Sequence, residues 1–241
     1  CGFGRWPELR DAAAHANLGL ALRQLGRADE ALASHDRALA LKPDYPQAHN
    51  NRGNALRDLG RHAEALASYD RALALNPGYA NALKNRGDTL LDLNRPADAL
   101  ASYDRALALR PDDAGMWNDR GIALGDLGRH DDALASFDRA LAGSPGYAEA
   151  LANRGSALSD LRRYEEAGQC FAALVERAPD HPFARGQLLH ARMLCCDWAG
   201  FDELAARLRD EVRAGRRSAE PFGWQAVSDS AARPRSRASI S

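Results

Sequence analysis

Asn17, Asn51, Asn85, Asp119 and Asn153 stand 34 residues apart along a chain of 241, so one polar side chain returns five times at a fixed interval. A carboxamide carries a hydrogen-bond donor and an acceptor, the same pair that each residue of an extended peptide presents along its backbone. A column of such groups would hold a peptide without reading its side chains. Asp119 departs from the column, since a carboxylate only accepts and adds charge. The chemistry on offer is binding. No glycine-rich phosphate loop, catalytic carboxylate pair or nucleophile with an adjacent base stands out. His15, His35, His49, His62, His130, His181 and His190 scatter through the text, as surface or packed histidines do. Cys1, Cys170, Cys195 and Cys196 have neither zinc spacing nor the spacing of a disulfide framework, and they read as reduced, partly buried thiols with no metal site.

The elements that must position the column follow from other series with the same interval. Proline recurs at 43, 77, 111, 145 and 179, glycine at 19, 53, 87, 121 and 155, and alanine at 31, 65, 99, 133 and 167. His35, Tyr69, Tyr103, Phe137 and Phe171 make a mostly aromatic fourth. Five units result, 12–45, 46–79, 80–113, 114–147 and 148–181, with 1–11 the end of a preceding element or linker. Within 48–77 apolar residues recur three and four apart on both sides of "LGRHA", so each unit predicts two amphipathic helices. Gly60 ends the first through a left-handed terminus, and Pro77 ends the second by removing an amide donor. Gly53 and Ala65 are expected to face each other and let the paired helices approach, with Tyr69 wedged against the next pair.

Bulk properties exclude several classes. Thirty-two basic residues against thirty-three acidic ones leave a net charge of −1, which gives no attraction for nucleic acid or an anionic membrane. Charges interrupt every apolar stretch before the roughly 18 residues that a membrane helix needs. No secretory leader opens the chain, and a cytoplasmic setting is expected. Because the sequence begins at Cys1, a natural start further upstream is also expected.

The period and residue types resemble the tetratricopeptide repeat. That resemblance implies an all-α fold, a right-handed superhelix or α-solenoid of five helix pairs plus a capping pair. It also implies that the sixth position of each unit, the asparagine column, points into a concave groove. Residues three and seven further along share that face. They add Asn54, Asp88 and Ser156, then Asp58, Asp92, Asp126 and Asp160, an acidic stripe beside the amides. Partners are then proteins or peptides, extended and neutral to basic, since the stripe repels acidic tails. The competing role for the asparagines is to bond neighbouring helices. Arg52, Arg86, Arg120 and Arg154, next to the column, read as snorkelling stems over apolar surface rather than an anion site.

After Pro179 the repeats give way to "HPFARGQLLHARMLCCDWAGFDELAARLRDEVRAG" (181–215), a degenerate helix pair over 182–215. Trp198, Phe201, Leu204, Leu208 and Val212 lie three or four apart, suiting a helix that caps the last exposed apolar face. Cys196, Asp197, Trp198, Phe201 and Asp202 resemble the junction between repeats and catalytic region in protein O-GlcNAc transferases, above all the bacterial, SPINDLY-like branch of glycosyltransferase family 41. "RAGRRSAEPF" (213–222) and "VSDS" (227–230) look like its continuation. The resemblance implies a full-length enzyme using UDP-GlcNAc as donor, with the repeats recruiting protein substrates. This chain holds no catalytic residue and needs no cofactor of its own. A free-standing adaptor stays open as the alternative. Residues 216–241 read as a linker and a disordered tail.

Overall fold

The structure, a computed structural model, describes residues 11–215. The expectations for residues 1–10 and for the linker and tail from 216 onward lie outside the described residues. Every regular element among those described is an α-helix, and the chain divides into two compact units at Leu127 and Gly128. The first holds α1 (Ala12–Gln24), α2 (Ala28–Leu41), α3 (Pro46–Asp58), α4 (His62–Leu75), α5 (Ala80–Asp92), α6 (Pro96–Leu109) and α7 (Ala114–Asp126). The second holds α8 (His130–Gly143), α9 (Ala148–Asp160), α10 (Tyr164–Arg177), α11 (Ala184–Leu194) and α12 (Phe201–Arg213). Within each unit every helix packs on its successor, and in the first α1, α3, α5 and α7 also touch in series, forming one continuous face.

The tight turn inside each pair has a backbone cause. Gly60 sits at φ +72°, and around it Gly60 N donates to Arg57 O and Arg61 N reaches back to Leu56 O at 2.8 Å. Those bonds satisfy carbonyls that the helix end leaves open. Asn94 (φ +55°) and Arg162 (φ +58°) take the same left-handed conformation, so glycine is the easiest occupant of this turn without being required. Between pairs, α4 ends at Leu75, ahead of Pro77.

The glycine series answers to the aromatic series. A Cβ on Gly53 would lie 2.5 Å from the Tyr69 ring, and one on Gly87 2.6 Å from the Tyr103 ring. Gly19 meets His35 and Gly155 meets Phe171 in the same way. This corrects the expected contact between Gly53 and Ala65: the missing side chain houses an aromatic ring rather than a neighbouring backbone. Ala65 lies in the apolar cluster with Leu22, Ala31, Leu32, Ala55, Leu56 and Tyr69. Tyr103 packs with Leu90, Ala99 and Ala123, the last on α7 of the following pair.

The end of the second unit departs from the expected cap. Gly200 at φ +65° precedes α12, so Trp198 stands outside the helix and is 58% exposed. The helix buries Ala205 and Leu208 against Leu189, with Phe201 and Leu204 half-buried around them. Buried Glu211 accepts from Arg185 on α11, which also donates to Pro179 O at 2.8 Å. Leu208 therefore covers its neighbour as expected, whereas Trp198 stays largely exposed, its ring in a T-shaped arrangement with Phe201 at 5.3 Å between centroids.

Candidate functional site

The face shared by α1, α3, α5 and α7 carries Asn17, Asn51, Asn85 and Asp119 in succession, one per helix, as their spacing and helical phase dictate. Asn17 is exposed and the other three are partly buried. A second amide is woven between them. Asn50, buried, donates to Asn51 Oδ1 at 3.2 Å and accepts from Asn85 Nδ2 at 2.9 Å. The column thus bonds neighbouring helices while keeping polar atoms unused: Asn51 retains its Nδ2 donors and Asn85 its Oδ1 acceptor. Asn118 repeats the pattern on α7, donating to Asp119 Oδ1 at 3.3 Å.

The acidic stripe is largely neutralised from within. Arg23 grips Asp58 through Nε at 2.6 Å and Nη2 at 3.2 Å, and Arg57 reaches Asp92 at 2.7 Å and Asp88 at 3.2 Å. Lys84 lies between Asp88 (3.0 Å) and Asp119 (2.9 Å). Burial pulls the Lys84 ammonium down, but the two carboxylates outweigh it and hold its pKa above the ordinary lysine value. Asp88 also accepts from Tyr103 Oη at 2.9 Å, and Asn54 accepts from Tyr69 Oη at 2.8 Å. Both hydroxyls start on the second helix of a pair and emerge on this face beside the glycine. Burial pushes both phenols well above the usual tyrosine range, so they remain donors. The expected bare acidic stripe therefore does not exist at 58, 88, 92 and 119, because each of these carboxylates is already paired. Asp126, exposed at the end of α7, has no basic partner among the described residues.

The arginines beside the column are clamps rather than loose stems. Arg52 Nε donates to Asp36 on α2 at 2.7 Å while Nη1 donates to Ser68 on α4 at 2.7 Å. Arg86 repeats this with Asp70 and Ser102, and Arg154, in the second unit, with Asp138 and Cys170 Sγ. Arg120 bonds Asp104 at 2.7 Å. Each guanidinium joins its own helix to the one before, and Arg52, Arg86 and Arg154 also reach the one after, which supports the reading against an anion site by a stronger means than snorkelling.

In the second unit, α9 carries Asn153, partly buried, with Ser156 bonded to its own helix at Ala152 O and Asp160 exposed at the helix end. No basic partner of Asp160 occurs among the described residues.

Sequence reading missed Asn50, Arg23, Arg57 and Lys84 as part of this face. Their signal was present: Arg23 to Asp58, Arg57 to Asp92, Asn50 to Asn85 and Lys84 to Asp119 are all 35 residues apart, one repeat plus one. Searching down a column at 34 passes over every such link.

A sequence model of the tetratricopeptide repeat matches residues 4–46, 16–80, 50–114, 84–148 and 118–182 in overlapping placements. Among solved structures the chain is similar to YrrB, described as a TPR protein with an unusual peptide-binding site, at 26% identity over 77% of this chain and 94% of that one, with a TM-score of 0.64. A thermophilic TPR protein of Thermus thermophilus is 26% identical over 76% of this chain and 99% of its own, with a TM-score of 0.60. PilF of Pseudomonas aeruginosa, 18% identical, shares the fold over 91% of this chain and 97% of its own at a TM-score of 0.76. A search of curated proteins returned no match.

Proposed function

Because the chain belongs to the tetratricopeptide repeat family, we propose that it is a protein-interaction scaffold whose asparagine face holds an extended peptide segment by its backbone. The observation that carries this reading is the amide column on α1, α3 and α5, in which Asn51 keeps its Nδ2 donors and Asn85 its Oδ1 acceptor after each has bonded Asn50. YrrB, a family member with a described peptide-binding site, supports it. Helices pack about 8–10 Å apart and an extended chain advances about 3.3 Å per residue, so one rung meets every third ligand residue or so. Asp126 adds a preference for ligands with Lys or Arg near that end, the neutral-to-basic class expected of the partner.

Fluorescence polarisation with a panel of unrelated extended peptides tests this. Asn51→Ala combined with Asn85→Ala should weaken the whole panel similarly, by about 0.5–1.5 kcal/mol for each bond lost. Asp126→Ala should weaken only peptides with Lys or Arg, and that loss should shrink as salt rises. A folded Asn double variant that binds the panel unchanged would leave the column a purely structural feature.

The junction supports a finer reading, in which the scaffold is the substrate-recruiting arm of an O-GlcNAc-transferase-like glycosyltransferase rather than a free-standing adaptor. Trp198, part of the text that carries that resemblance, is largely exposed and stands before α12, a placement that leaves its indole accessible to a partner. The product of the complete gene should then transfer N-acetylglucosamine from UDP-GlcNAc to protein hydroxyls, while this chain alone should not. A complete gene product without a sugar-nucleotide-binding region would decide for the adaptor.

A further inference from the structure

We propose that Cys195 and Cys196 form a modification site for low-molecular-weight disulfides, which oxidise the adjacent thiols to a reversible bond between the two. The proposal rests on the environment of the pair rather than on its occurrence. Cys195 closes α11 with its amide bonded to Ala191 O, and Cys196, its own amide bonded to Met193 O, follows in the left-handed conformation at φ +57°. Both side chains are exposed. They share a cavity of about 560 Å³ with Glu165, Gln169, Arg192 and Asp197. That lining carries both signs of charge, which suits a zwitterionic disulfide of the size and polarity of oxidised glutathione.

Cys170, on α10 of the same unit, is the internal contrast. It is buried, it accepts from Arg154 at 3.0 Å, and burial pushes its thiol up. A buried thiol of this kind is inert, whereas an accessible dithiol is not.

The chemistry balances without a further reactant. One thiolate attacks the small disulfide, forming a mixed disulfide and releasing one small thiol. The neighbouring thiolate then attacks the protein sulfur of that bond, expelling the second small thiol. Two protein thiols lose two hydrogens in all, and the small disulfide gains them. Adjacent Cα atoms across a trans peptide are about 3.8 Å apart, short of the roughly 4.4–6.8 Å that disulfides prefer. The ring is therefore strained and easily reopened by reductant, a property of labile rather than structural disulfides.

Ring closure also acts on the loop to α12. Asp197 N bonds Arg192 O at 2.8 Å, Arg192 Nη1 bonds Ala199 O at 2.9 Å, and Trp198 between them leans on Phe201. Rearranging Cys196 alters this ladder and the surroundings of the exposed indole.

The reduced chain, incubated with oxidised glutathione, alkylated and digested, tests the proposal by peptide mass. The peptide spanning residues 195 and 196 should lose two hydrogens, resist alkylation and recover both thiols with dithiothreitol, while Cys170 stays reduced. Cys195→Ser and Cys196→Ser should each stop at a glutathione adduct on the remaining thiol. The proposal is overturned if the wild-type peptide stays fully alkylatable, retains glutathione as the single variants do, or cross-links to a second chain. Circular dichroism of each variant separates a chemical effect from unfolding. A redox-dependent change in fluorescence that disappears in Trp198→Phe ties the bond to the loop, and an unchanged spectrum would sever that link.

Discussion

Asp58 and Asp126 occupy the same place at the ends of α3 and α7, yet Arg23 grips the first at 2.6 Å and no basic side chain among the described residues holds the second. The difference lies one repeat earlier. The residue 35 positions before Asp58 is Arg23 and that before Asp92 is Arg57, whereas the corresponding residue for Asp126 is Leu91. One column of carboxylates therefore does two jobs, holding helices together where a cation precedes it and facing outward where an apolar side chain does. The identity of a residue in a repeat array does not state its role; its partner in the preceding unit does.

The largest expected effect lies at the paired end. Tyr103 is buried and bonds Asp88, so Tyr103→Ala removes both packing and a stripe contact and should cost about 3–5 kcal/mol in urea denaturation. Tyr103→Phe keeps the ring and should cost about 0.5–1.5 kcal/mol. Asp126→Ala, at the open end, should leave the transition where it was. Equal losses for Asp126→Ala and Tyr103→Phe would erase the distinction between the two ends.

Acid should also strike the paired end first. His35 fills the aromatic position of the first pair, fully buried with neither ring nitrogen bonded, and burial lowers its pKa to about 4. Of the charges nearby, Asp36 favours protonation and Arg23 opposes it, and each is itself paired, with Arg52 and Asp58. The folded state holds the ring neutral while the unfolded chain takes up a proton as pH falls below the ordinary value near 6.5. The associated stability is complete above that value and is lost progressively until pH falls through about 4, reaching about 3 kcal/mol. Denaturation midpoints of the wild type and His35→Phe should diverge as pH falls through this window. Parallel curves would show that His35 does not titrate in this way.

The smallest effect is the most direct on the comparison. Leu91→Arg places a cation 35 residues before Asp126, and its stem can cover the surface that half-buried Leu91 now covers. Affinity for Lys-containing peptides should fall by up to about 1 kcal/mol, roughly fivefold, with neutral peptides unaffected. An unchanged preference would show that Asp126 does not provide it.

The helix pairs were legible because glycine, alanine, aromatic and proline residues recur in phase and each has a local backbone or packing cause. The shared face was legible as well, since residues three and seven apart on a helix must lie together. Its internal bonding was not, because Lys84 and Asp119 belong to different units and neither has a local reason to seek the other. Gly53 was open to misreading for a related cause: smallness in a sequence does not say what fills the space, and here it is the Tyr69 ring. Trp198 shows the limit of periodicity, since a correct three-and-four spacing continues across Gly200, where the helix has not yet begun.

The offset of one repeat plus one gives this architecture a grammar that survives rearrangement. Excising residues 80–113 would bring Arg57 into the register of Asp126, converting an outward carboxylate into a paired one with no point substitution. Duplicating the same segment would leave the last copy of Leu91 before Asp126 and keep that carboxylate open. Whole-unit recombination can thus redraw the charge seen by a ligand while every junction keeps its spacing, so the order of the repeats carries information that their composition does not.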